Sequence, residues 1–194
     1  MNEPYLITDL MRKHVMAVHI AFEKSADTML KKLVKILAGP YVHTELIVTQ
    51  SEPTTIHTAY STYMSDTFSR TFQRDFWFAD QYHDFLHIPV SKEELQRICK
   101  TCEACVETKI PYNTRDMVLS QVPLRNPTEH DLFHSPTLFC SQAVVLILRS
   151  CLDEMHSLQP HLSTVNSRTI TPSQLYELLK PQCAPRCVNQ VMLQ

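Results

Sequence analysis

The chain of 194 residues is 44% hydrophobic and 20% charged, a balance that lets one domain bury a core without metal or disulfide staples and excludes a disordered polypeptide. Its net charge of −2 gives the bulk electrostatics no reason to seek nucleic acid or an acidic membrane. The 7 cysteines are odd in number and match no disulfide framework, which predicts reduced thiols in a cytoplasmic setting.

In chain order, Val15–Phe22 (VMAVHIAF) is short, apolar and partly β-branched, and reads as a buried strand. No secretory cleavage site is read in the segment leading into it. SADTMLKKLVKILAG follows as an amphipathic helix, with Ser25 and Asp27 as capping candidates, Leu30, Leu33, Val34 and Leu37 at helical spacing, and a stop at Gly39-Pro40. YVHTELIVTQ and TTIHTAYS are β-prone runs joined by SEPT, which predicts an antiparallel hairpin. The aromatic stretch from Phe68 to Phe85, with Trp77, reads as core or cleft wall, because Arg70 and Arg74 are offset by Asp75, Asp80 and Asp84.

FLHIPV predicts a strand, and SKEEL caps a helix running to about Lys109. On that helix Cys99, Cys102 and Cys105 share a face with Leu95 and Ile98, which indicates packing and not metal. KIPYNTRD is a loop, MVLSQVPL a short helix or strand, and NPTEHDLFHSP an irregular connection. TLFCSQAVVLILRSCL is apolar on every side, which predicts a helix buried in the middle of the domain. TPSQLYELLK closes the pattern, with Thr171 as cap and Pro172 at the first helical position. Cys183 and Cys187 beyond it read as exposed free thiols. No run of about 18 apolar residues occurs, so no membrane-spanning helix is expected.

Chemistry concentrates at Cys140, which opens the buried helix. Unpaired backbone amides and the helix dipole favour negative charge there, and with it a thiolate. His43 and His57 sit at an even offset across the proposed hairpin, so a turn centred near Ser51-Glu52 puts both on one sheet face. One histidine could then take the proton from a thiol while the other orients it.

These landmarks, His43 in YVHTELIV, His57 in TIHTA and Cys140 in LFCSQAVV, resemble those of circularly permuted papain-like enzymes of the NlpC superfamily. In that group the histidine strand precedes the cysteine helix. His57-Thr58-Ala59 is similar to the second-strand His-x-Ala of the lecithin:retinol acyltransferase branch. Cys140-Ser141-Gln142, Pro111-Tyr112-Asn113 and the Thr171-Pro172 helix are similar to features of the bacterial and viral branch resembling YiiX and YaeF. The likeness spans roughly residues 15–180, and the order of landmarks carries it. One departure is Glu45, standing where the family has a glycine two residues after the histidine, on the same strand face as His43.

The resemblance implies a single α+β domain over residues 1–194, with an antiparallel sheet packed on the cysteine helix. It implies Cys140 as nucleophile, His43 as base and then acid, and His57 as orienting residue, with Glu45 as the other candidate for that place. The Cys140 amide would hold the oxyanion, and Tyr112 would add a second contact. The expected substrate is an amide, peptide or acyl ester, with no metal or organic cofactor and no nucleic acid. A viral member would reside in host cytoplasm or the virion. The alternative is a catalytically silent binding or structural protein of the same fold.

Overall fold

The computed structural model describes residues 17–50, 56–62, 67–73, 82–119 and 137–183. Among them are five strands, β1 (Ala17–Glu23), β2 (His43–Gln50), β3 (Ile56–Thr62), β4 (Phe68–Gln73) and β5 (His83–Pro89). The helices are α1 (Met29–Ala38), α2 (Lys92–Thr108), α3 (Thr114–Leu119), α4 (Cys140–Cys151), α5 (Gln159–Ser163) and α6 (Pro172–Leu179). The strands form one sheet in the order β4-β3-β2-β1-β5, every neighbouring pair antiparallel. The fold is α+β.

Strand alternation divides the sheet into two faces. Val18, Ile20 and Phe22 of β1 join Leu46, Val48, Tyr60, Leu86 and Ile88 in a core shared with α4. On the opposite face Ala21, Ile47, Ala59 and Phe85 form a smaller buried cluster. β1 is therefore covered on both sides, which explains why its sequence runs apolar instead of alternating. Every residue of α4 from Cys140 to Leu148 is buried, as an all-round apolar helix requires.

Helix ends are fixed by local hydrogen bonds. At the start of α2 the Ser91 hydroxyl accepts from the Glu94 amide at 3.1 Å, and the Glu94 carboxylate accepts from the Ser91 amide at 2.7 Å. Glu94 also accepts from the Asp153 amide at 2.9 Å, tying α2 to the end of α4. Burial works against this carboxylate, but the amides outweigh it and hold its pKa below the ordinary value. Thr171 caps α6 as its sequence predicts, accepting from the Gln174 amide at 3.1 Å while Gln174 reaches back to the Thr171 amide at 2.9 Å.

Some local expectations are corrected and others hold. The cap of α1 is Thr28, which accepts from the Lys31 amide at 3.2 Å, and not Ser25 or Asp27. α1 also turns differently from its apolar spacing: Val34 is buried, whereas Leu33 and Leu37 face solvent. The aromatic stretch holds a strand, β4, with Phe68 in the core. MVLSQVPL begins in a helix, α3. Cys183 is buried and not exposed, because the turn after α6 folds it back onto the core. Cys102 and Cys105 pack in that core, as their helical spacing predicts. Trp77, Cys187 and the connection NPTEHDLFHSP lie outside the described residues.

The chain's one glycine, Gly39, ends α1 at φ +100, a conformation side chains resist. An added Cβ there would lie 2.8 Å from the Ser173 hydroxyl. That hydroxyl accepts from the Tyr41 amide at 3.1 Å, so the glycine lets α1, β2 and α6 meet.

Candidate active site

Three segments converge where α4 begins. Residues 137–139 run beside residues 111–113, with the Leu138 amide donating to the Pro111 carbonyl at 3.0 Å and the Asn113 amide to the Leu138 carbonyl at 2.8 Å. The Phe68 amide donates to the Ile110 carbonyl at 2.7 Å, anchoring the same loop to β4. The Ser141 hydroxyl donates to the Ile170 carbonyl at 2.6 Å and pins the first turn of α4. Cys140 is thereby fixed as the first helical residue, 3% exposed, where helical geometry leaves backbone amides without intrahelical partners.

His43 is the first residue of β2 and is buried. Its Nε2 lies 2.8 Å from the Ser61 hydroxyl and 3.5 Å from Glu45 Oε1. The Ser61 hydroxyl itself donates to the Thr44 carbonyl at 3.2 Å, so its oxygen is left to accept from Nε2–H. Burial pulls the imidazole pKa down, yet the neighbouring Cys140 sulfur, which is within hydrogen-bonding reach, and the Glu45 carboxylate outweigh it. Together they push the pKa up to about 10. Thiol, imidazole and carboxylate are thus one coupled group.

Tyr112 belongs to the same neighbourhood. It packs beside the cluster of Val34, Val42, Met117 and Phe139. Burial, and then the charge at Cys140, raise its pKa, so the phenol keeps its proton and remains a donor. His83 stands in register with Glu23, which is in register with His43. Burial lowers the His83 pKa against the opposing pull of Glu23 and Glu45, and the charge of His43 adds to the lowering. Lys31 of α1 binds Glu23 at 2.7 Å, which ties α1 to this end of the sheet.

His57 does not join the group. β2 and β3 pair Gln50 with Ile56 and Thr49 with His57, so the connection is centred beyond Ser51-Glu52. Each residue by which the centre moves shifts the opposing partner by two. His57 keeps the sheet face of His43 but stands six residues along β2, about 20 Å away at strand rise. The place beside the imidazole goes to Glu45 and Ser61. Ser61 escaped the sequence reading because its even offset from His43 is shared by His57, and only the register separates the two.

Among the described residues, no group of three or more His, Cys, Asp or Glu side chains is arranged to hold a metal ion. No described helix is long and apolar enough to cross a membrane. What the fold and this geometry define is an α+β domain with a thiol, an imidazole and a carboxylate meeting where the sheet joins its central helix. Comparison with protein-family models, with curated proteins and with solved structures finds no match.

Proposed function

We propose that the chain is a cysteine hydrolase acting on an amide, peptide or acyl ester through a Cys140 thioester. The observation that carries the reading is the meeting of the Cys140 sulfur, the His43 ring and the Glu45 carboxylate at the start of the central helix. An imidazolium paired with a thiolate supplies nucleophile and acid together.

With Nε2 engaged by Ser61 and Glu45, Nδ1 is the ring nitrogen available to the sulfur. The Cys140 thiolate attacks the carbonyl carbon, and the new oxyanion is held by the Cys140 amide and the Tyr112 hydroxyl. The bond to the leaving amine or alcohol breaks as His43 gives it a proton, leaving a thioester and neutral imidazole. His43 then takes a proton from water, the hydroxide adds to the thioester, and the acid leaves as the thiolate and imidazolium return. Glu45 and Ser61 hold the ring throughout. Glu45, the departure from the family's glycine, thereby takes the place expected of His57. The six free thiols of the described residues suit a reducing compartment such as the cytoplasm.

Alkylation with iodoacetamide at neutral pH, followed by peptide mapping, tests this. Burial raises the thiol pKa of Cys102 well above its ordinary value, that of Cys105 to about 12 and that of Cys183 to about 11, so these react slowly. Cys140 is expected to be modified first, and more slowly in His43→Ala. Modification of Cys140 no faster than the buried thiols, or unchanged in His43→Ala, would favour a silent binding protein.

A further inference from the structure

We propose that the outward face of α1 docks the protein onto an anionic lipid bilayer. Of the six large hydrophobic side chains exposed among the described residues, four lie on this one helix: Met29 at 82%, Leu33 at 48%, Ile36 at 79% and Leu37 at 54%. Their spacing puts them on one side, in an arc about 100° wide. The apolar surface is therefore contiguous, unlike the scattered exposed residues that need no explanation.

The charge beside that arc has one sign. α1 carries Lys31, Lys32 and Lys35 and no acidic residue, in a chain whose net charge is −2. Lys31 is held by Glu23 and Asp27; Lys32 is exposed at the border of the arc, and Lys35, also exposed but further round on the same flank, donates to the Lys24 carbonyl at 3.2 Å. An apolar arc flanked on one side by lysines fits acyl chains below and anionic headgroups beside them. A second copy fits poorly, because a symmetric contact of α1 with itself would oppose like charges. The bulk electrostatics disfavour a polyanion, but the local charge of this helix does not.

The buried side of α1 faces the site. Val34 and Ala38 belong to the cluster of Val42, Met117 and Phe139 that Tyr112 packs against, and Phe139 adjoins Cys140. A bilayer on the outward face is separated from that cluster by α1 itself, about 10 Å across, and acyl-bearing lipid would pass around the helix to reach the candidate nucleophile. That last step rests on the hydrolase reading, whereas the docking surface rests on α1 alone.

Flotation of the full chain with vesicles of phosphatidylcholine alone, and of phosphatidylcholine with phosphatidylserine, tests the proposal. The wild type should float with the phosphatidylserine vesicles and not with the neutral ones. Leu33→Glu or Ile36→Glu should each weaken partitioning by about tenfold or more, and Lys32→Glu with Lys35→Glu should remove the preference for phosphatidylserine. Alkylation of Cys140 in solution should be unchanged in all of them, which shows that the variants remain folded. No flotation with either vesicle, equal flotation with both, or undiminished binding by Ile36→Glu would overturn the proposal. So would a dimer, seen by light scattering, that Ile36→Glu dissolves while vesicles stay unbound. A wild type that floats as expected but has no hydrolytic activity leaves docking standing and sinks only the hydrolase.

Discussion

Replacing Glu45 by Gln should change His43 more than replacing Ser61 by Ala, and the geometry says by how much. Glu45 Oε1 stands 3.5 Å from Nε2, and at an effective dielectric of about 20 that separation is worth roughly 4–5 kcal/mol to the imidazolium. Losing it should bring the His43 midpoint from about 10 to roughly 7, at about 1.4 kcal/mol for each step of pH. Ser61 accepts from Nε2–H in both the charged and the neutral ring, so only the difference between the two hydrogen bonds counts, about 1 kcal/mol. Ser61→Ala should therefore leave the midpoint at roughly 9. The sign is the same in both cases: the imidazolium persists below the midpoint and is lost as pH rises through it. Nitrogen NMR of labelled histidine reads these midpoints directly. A larger change in Ser61→Ala than in Glu45→Gln, or none in either, would refute the assignment of Glu45 as a charge partner of the ring beside Cys140.

His57→Ala should leave Cys140 alkylation within about twofold of wild type, since His57 stands opposite Thr49, six residues along β2 from His43; a drop of tenfold would restore it as the orienting residue. Tyr112→Phe should slow turnover of an activated ester by about 100- to 1000-fold if its hydroxyl holds the oxyanion, and an unchanged rate would remove it from that role. Gly39→Ala should destabilise the fold by about 2–4 kcal/mol in urea titration, adding strain at positive φ to crowding against Ser173. A loss under about 0.5 kcal/mol would show that α6 yields freely there.

Much of this fold is written in local pattern. The all-round apolar run places α4 in the middle, and Thr171 with Pro172 marks the start of α6, because such signals depend only on nearby residues. Cys140 and His43 are legible for the same reason, as a helix start and a strand histidine. The partner of His43 is not, because it depends on strand register, and residues 51–55 between Gln50 and Ile56 carry several turn-prone residues that centre the connection equally well. The outward face of α1 is also hidden from the sequence. Periodicity shows an apolar stripe, but which part of it meets the core is settled by Val34 packing against Val42 and Phe139.

The pairing of sulfur and imidazole can be measured from the histidine side alone. In wild type the His43 imidazole should titrate at about 10, and in Cys140→Ala its midpoint should fall, since the anionic sulfur that sustains the ring's charge is gone. A wild-type midpoint near the ordinary histidine value, or one that Cys140→Ala leaves in place, would contradict the account.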